Sequence, residues 1–185
     1  MLREQINPHF LFNTLNNIYV LAYEKSENAA PMILKLSEMM RYAYHDCESE
    51  KVQLEKEITY IHNFIDLYQL RFEKNRSIHF TISGSPNGVL IAPLLFNPLM
   101  ENTIKYSDLD TNTDGLINIQ LTIIKGKSID FQISNTCIKK EETIINGIGL
   151  NNLQRRLELI YPGKHLLNIT ACDNIFKVTM TVQIK

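Results

Sequence analysis

The chain changes its periodicity near the middle, and that change limits the folds open to it. In the first half, apolar residues recur every three or four positions: Leu11, Leu15, Ile18 and Ala22, then Ile33, Leu36, Met40 and Tyr44, then Ile58, Ile61, Ile65, Tyr68 and Phe72. Each set forms one apolar stripe at about 100° per residue, the pattern of an amphipathic helix. Pro8 fits only a first helical turn, so the first helix is expected to begin there. The other two are expected at 28–44 and 54–72, arranged as helix pairs or a bundle. In the second half the period falls to two. Residues 77–83, 116–124 and 128–133 alternate like strands, the last two joined by the turn Lys125-Gly126-Lys127, and 166–171 and 176–184 close the chain as strands. Two helices interrupt them, at 93–106 and at 150–160, the latter with Leu150, Leu153, Leu157 and Ile160 on one stripe and Pro162-Gly163 as its stop. Helices followed by a mostly antiparallel sheet predict an α+β two-layer sandwich.

The bulk numbers narrow the function. With 185 residues, 44% of them hydrophobic and 21% charged, the chain suits one domain, or one domain with a helical appendage. A net charge of −1 gives no basic footprint for nucleic acid or an anionic membrane surface. Cys47, Cys137 and Cys172 are far apart and form no CxxC pair, which predicts reduced thiols in a cytosol-like compartment rather than a metal site. No apolar run approaches the roughly 18 residues of a membrane span, and the sequence reading expects no signal peptide. Met1 leads directly into a patterned helix, so the chain is expected to be part of something longer.

The first helix spends its polar positions unusually. His9, Asn13 and Asn16 lie within about 60° of one another on the wheel, while Phe10, Leu11, Phe12, Leu15, Ile18 and Leu21 occupy much of the remainder. A helix apolar around most of its circumference is expected to be largely buried, partly by a second copy. Asparagine is a poor helix former, so two on one face need a reason. One reading is a buried histidine held by asparagines. The other is a nucleophile: an imidazole, titrating near about pH 6.5, is mostly neutral at pH 7 and offers a nitrogen lone pair to a phosphoryl group.

The string Asn7-Pro8-His9-Phe10-Leu11-Phe12-Asn13-Thr14-Leu15-Asn16 resembles the phosphoacceptor box of the LytS/YehU-type sensor histidine kinases. Downstream residues continue the likeness over nearly the whole chain. Leu36-Ser37-x-x-x-Arg41-Tyr42 and Leu54-x-x-Glu57 resemble the family's helical region, Pro98-Leu99-x-Glu101-Asn102-x-x-Lys105 its N box, and Gly147-x-Gly149-Leu150-x-Asn152-x-x-x-Arg156-Leu157 its glycine box. The resemblance implies a helical dimerisation and phosphoacceptor region at 1–50, followed at 51–185 by a GHKL-type ATP-binding domain, a two-layer α/β sandwich on a mixed, mostly antiparallel sheet. It further implies ATP with Mg²⁺, autophosphorylation of His9, and transfer to an aspartate of a response regulator, of the LytTR kind. A homodimer through the N-terminal helices is implied, with no direct binding of nucleic acid. The location implied is the cytoplasmic side of a bacterial inner membrane, attached only through segments outside this sequence.

The residues fit those roles chemically. Pro98, Glu101, Asn102 and Lys105 share about 100° of one helix face. That face can be a plain solvated one with a Glu101–Lys105 pair worth about 0.2–0.5 kcal/mol. It can also be a site, where Asn102 offers a hard oxygen to Mg²⁺, Glu101 holds a water or acts as a base, and Lys105 meets phosphate charge. Gly147 and Gly149 let backbone approach a phosphate at the helix N-terminus that Leu150 continues, although a lone GxG is weak by itself. Two departures stand out. Asn135, in Ile133-Ser134-Asn135-Thr136, occupies the place of the aspartate that accepts the adenine amino proton in the wider fold, and no glycine follows. An asparagine oxygen can still accept that hydrogen bond. Tyr106 stands where the family's N box commonly has histidine, and a phenol ionising near about pH 10 is no equivalent base. Phe10 follows His9 where many histidine kinases place an acid, which leaves Glu101, or no protein group, as the base. The segment 136–146, with Lys139-Lys140 and Glu141-Glu142, is expected to be the lid. Two rival functions share the fold: a signalling scaffold with a degraded nucleotide pocket, and an ATPase of the chaperone or mismatch-repair kind, which would lack a phosphoacceptor box.

Overall fold

The computed structural model describes residues 8–46, 49–72, 76–137, 148–172 and 174–184. They fall into two compact units, one of residues 1–75 with 90–94 and one of residues 76–89 with 95–185.

The first unit contains α1 (Pro8–Tyr23), α2 (Ala29–Tyr44) and α3 (Leu54–Gln69), with a two-residue strand β1 (Val52–Gln53) leading directly into α3. α3 is the helix most fully covered. Its buried stripe is Leu54, Glu57, Ile61, Phe64 and Tyr68, flanked by Tyr60 and Leu67. This is not the stripe read from Ile58 and Ile65, which are only half-buried. The three-four spacing fits both sets, and the buried one passes through a carboxylate that the apolar pattern counts as outward. On α2 the inward residues are Leu36, Met39 and Tyr42, whereas Ile33 and Tyr44 are exposed. Phe10 of α1 stacks on Phe64 of α3 with ring centroids 4.7 Å apart. Such a pair adds about 0.5–1.5 kcal/mol beyond the area it buries. Lys35 of α2 pairs with Asp66 of α3.

The chain returns to this unit after the second unit has begun. Strand β3 (Leu90–Ile91) pairs antiparallel with β1, Val52 opposite Ile91. Residues 93–96 then form a turn, not the start of a helix as the pattern predicted. Leu94 there has φ +50°, a left-handed conformation that a bulky L-residue adopts at a cost of about 1–3 kcal/mol.

The second unit is built on a five-stranded sheet of β2 (Ser77–Ser83), β4 (Leu116–Ile124), β5 (Ser128–Thr136), β6 (His165–Cys172) and β7 (Ile175–Gln183), in the order β2-β4-β5-β7-β6. Only β2–β4 is parallel, so the sheet is mixed and mostly antiparallel. Alternation sorts the faces: Ile117, Ile119, Leu121 and Ile123 of β4, Ile129, Phe131 and Ile133 of β5, and Phe176, Val178, Met180 and Val182 of β7 are all buried. Two helices cover that face, α4 (Asn97–Tyr106) and α5 (Ile148–Ile160). Pro98 lies in the first turn of α4, where its missing N–H costs no bond. Phe96 stacks on Phe131 at 4.4 Å between centroids. Leu150, Leu153 and Leu157 of α5 are buried, while Ile160 is largely exposed. The β4–β5 hairpin turns where the sequence predicts it, with Gly126 at φ +66° and the Lys127 N–H on the Ile124 carbonyl at 2.9 Å. This is the α+β two-layer architecture expected from the sequence.

Candidate nucleotide and phosphoacceptor site

His9 lies in the first turn of α1 and is exposed. The Asn13 Nδ2 amide, one helical turn on, stands 3.3 Å from both ring nitrogens. Equal distances mean that the amide straddles the ring instead of committing to one nitrogen. The residue after His9 acts as an anchor, since the Phe10–Phe64 stack fixes this turn of α1 against α3. The spacing of His9 and Asn13 was legible in sequence, and the anchoring by Phe10 was not.

The other candidate residues lie in the second unit. α4 carries Glu101, Asn102 and Lys105. Asn102 is buried to 9% exposure, and its Nδ2 is enclosed without a hydrogen-bond partner. Glu101 is half-buried and accepts a hydrogen bond from Asn97 Nδ2 at 3.2 Å. Lys105 is exposed, its ammonium 5.0 Å from the centroid of the Tyr106 ring. That contact gives Tyr106 a cation–π role in the place of the family's histidine.

Asn135 lies on the helix-covered side of β5, between Ile117 of β4 and Phe176 of β7, and is 2% exposed. Its Nδ2 donates to the Thr136 carbonyl at 2.9 Å, and its Oδ1 is buried without a partner. The amide is thereby oriented, with the donor end used and the acceptor end left over. Leaving a buried acceptor unmet costs about 1–3 kcal/mol, and a ligand that donates to it would recover that cost. α4 packs on β5 and on α5. Leu150 is buried and Gly149 exposed, both at the start of α5; a Cβ added at Gly149 would meet nothing within 4 Å. Gly147 and residues 138–146 of the lid expected at 136–146 lie outside the described residues. Thus one packed unit holds Glu101, Asn102, Lys105, Asn135, Gly149 and Leu150, while His9 belongs to the other unit.

The unmet acceptor at Asn135 is of the kind that an exocyclic amine can satisfy. Among the described residues no group of three or more His, Cys, Asp or Glu is placed to hold a metal. An asparagine amide oxygen is the kind of hard ligand that Mg²⁺ takes together with phosphate and water. Also among the described residues, no helix is long and apolar enough to cross a membrane, and neither Cys137 nor Cys172 forms a disulfide.

Comparison with known proteins gives a consistent result. The family model described as histidine kinase matches residues 1–76. The chain is 30% identical over 186 residues to the sensor protein LytS of Staphylococcus haemolyticus, covering 93% of this chain and 32% of that protein. It is 30% identical over 176 residues to the sensor histidine kinase YpdA of Escherichia coli, covering 89% of this chain and 31% of that protein. The chain thus spans about a third of the length of the curated relatives it matches. Among solved structures, the histidine kinase domain of the Erythrobacter litoralis blue-light activated histidine kinase EL346 superposes with a TM-score of 0.55 at 10% identity, covering 99% of this chain and 91% of that one, a likeness of fold. The histidine kinase model thus matches the first helices, and the likeness to LytS continues through the sheet, so that over nearly its whole length this chain is similar to the LytS-type sensor histidine kinases.

Proposed function

We propose that this chain is the catalytic core of a two-component sensor histidine kinase, which uses ATP to phosphorylate His9 and passes the phosphoryl group to an aspartate of a response regulator. The observation that carries the reading is the oriented Asn135 side chain, whose Nδ2 is committed to Thr136 while its Oδ1 is buried and unmet. An exocyclic amine is the donor that the adenine base supplies. Guanine presents a carbonyl at the same ring position, so it would set acceptor against acceptor. Asn102 and the phosphates would hold Mg²⁺, which supplies charge neutralisation as the phosphoryl group moves. Lys105 and the α5 N-terminus at Gly149 and Leu150 would meet the phosphate oxygens.

A lone-pair nitrogen of the His9 ring attacks the γ-phosphorus. The N–P bond forms as the bond to the β–γ bridging oxygen breaks, ADP leaves, and the proton of the other ring nitrogen is given up to a base. Glu101 is the protein group on the nucleotide helix suited to take it. The helical unit serves as the dimerisation and phosphoacceptor region and the sheet unit as the ATP-binding region. By the family's pattern the regulator is of the LytTR kind, and the longer protein is held at a bacterial inner membrane by segments outside this sequence.

Titration with ATP and with GTP, in Mg²⁺, tests the site. The wild type should bind ATP in preference to GTP. Asn135→Leu should weaken ATP at least about tenfold, the value of one buried hydrogen bond, and Asn135→Asp should retain it. If the wild type binds no nucleotide, the scaffold reading replaces this one.

A further inference from the structure

The helical unit holds a buried carboxylate that phosphoryl transfer, as derived above, does not use. Glu57 lies in the first turn of α3 and is 1% exposed. A single oxygen, Oε1, accepts two hydrogen bonds from different parts of the unit. One comes from the Tyr42 hydroxyl on α2. The other comes from the backbone N–H of Leu94, at 2.5 Å. Leu94 is the residue held at φ +50°, and its side chain is 1% exposed. A buried carboxylate needs its donors, and a left-handed leucine persists only where its surroundings fix it. Each of the two features accounts for the other.

The position of this clamp along the chain gives it a consequence. Residues 90–94 are the stretch that returns to the helical unit, held there by the short β1–β3 pairing and by the Glu57–Leu94 bond. Leu95 already belongs to the sheet unit, and α4, with Asn102, starts at Asn97. Glu57 therefore sits where the chain passes from the phosphoacceptor helices to the nucleotide helix. Tyr42 shares its oxygen, so a shift or rotation of α2 alters the bond that fixes the crossover.

We propose that Glu57 is a positioning residue for phosphoryl transfer, tying α2 to the crossover before α4 through one shared oxygen, so that displacement of α2 changes the rate of transfer to His9 without changing nucleotide affinity. The inference rests on the kinase reading above. It separates two quantities because the clamp lies in one unit and the nucleotide residues in the other, while transfer requires both units to be correctly placed.

The test uses the full chain as wild type, Tyr42→Phe, Glu57→Gln and Glu57→Ala. Three quantities are read: the Kd for Mg²⁺-ATP, the single-turnover rate of His9 labelling at saturating ATP, and hydrogen exchange at the Leu94 amide. Tyr42→Phe should slow transfer about tenfold with Kd within about twofold of wild type, and should speed Leu94 exchange more than exchange in β4 and β5. Glu57→Gln, which keeps an acceptor oxygen, should retain more of the rate than Glu57→Ala. An unchanged transfer rate in Tyr42→Phe, or a Kd that weakens in step with the rate, overturns the proposal. If the wild type takes no label, the kinase reading fails by itself. Leu94 exchange still decides the tie in that case, because an amide that does not respond to Tyr42→Phe overturns it.

Discussion

Asn135 is useful to a nucleotide only if the end of β5 stays fixed, and Asp108 fixes it. The Asp108 carboxylate, 8% exposed, accepts from the Thr136 hydroxyl and, at 2.9 Å, from Asn112 Nδ2. Its backbone N–H donates to the Thr136 carbonyl at 3.2 Å, the same oxygen that holds Asn135 Nδ2. The Thr136 hydroxyl in turn accepts from the Leu116 N–H at 3.0 Å, joining β4 to the arrangement. Removing the carboxylate would strand two donors. Asp108→Ala should lower stability by about 2–3 kcal/mol, seen as a lower urea midpoint at unchanged slope, and should weaken ATP through the loosened Asn135. Asp108→Asn, which keeps one acceptor oxygen, should lose less of both. The role of Asp108 was invisible in the sequence because Thr136, the partner that ties it to β5, is 28 residues away, and no local pattern marks such a contact.

At the scale of elements, α1 presents an apolar stripe that is exposed among the described residues. Phe12, Leu15, Tyr19 and Tyr23 step by three, four and four, and are 65%, 46%, 69% and 78% exposed. Ile33 and Leu34 of α2 are exposed as well. A patch of this kind marks an interface, and a second copy of the same helices would cover it. Leu15→Glu should therefore shift the chain from dimer to monomer in sedimentation velocity, with little loss of helix content in circular dichroism. A chain that is monomeric before substitution would contradict this. Legibility varied between elements for physical reasons. Ser77–Ser83 and Leu116–Ile124 were readable to the residue because a half-covered strand alternates cleanly. α3 was placed correctly but turned, since Glu57 is an inward residue satisfied by donors that lie elsewhere in the fold. β1 and β3 were not readable at all. Two residues carry no period, and their pairing spans nearly forty positions, Val52 to Ile91. The turn at Leu94 was read as helix because leucine gives no sign of a positive φ.

At the scale of the whole molecule, the site divides in the way its chemistry divides. The exposed histidine stands on helices with their own core of Leu36, Met39, Phe64 and Leu67, and the residues proposed for the nucleotide stand in the sheet unit, whose core includes Phe131, Phe176 and Val178. The residues proposed for both were named from the sequence alone: the His9 box, the N box and the first turn of α5. The state of their atoms was not, because an unmet Oδ1 at Asn135 depends on how Thr136 and the neighbouring strands are arranged. The central claim is that these two units together carry a phosphoryl group from ATP to His9. Its most direct test is incubation of wild type and His9→Gln with γ-labelled ATP and Mg²⁺, followed by acid and base treatment of the labelled protein. The account predicts an acid-labile, base-stable label on the wild type and none on His9→Gln. Label that persists in His9→Gln, or a wild type that binds ATP and hydrolyses it without ever becoming labelled, would contradict it.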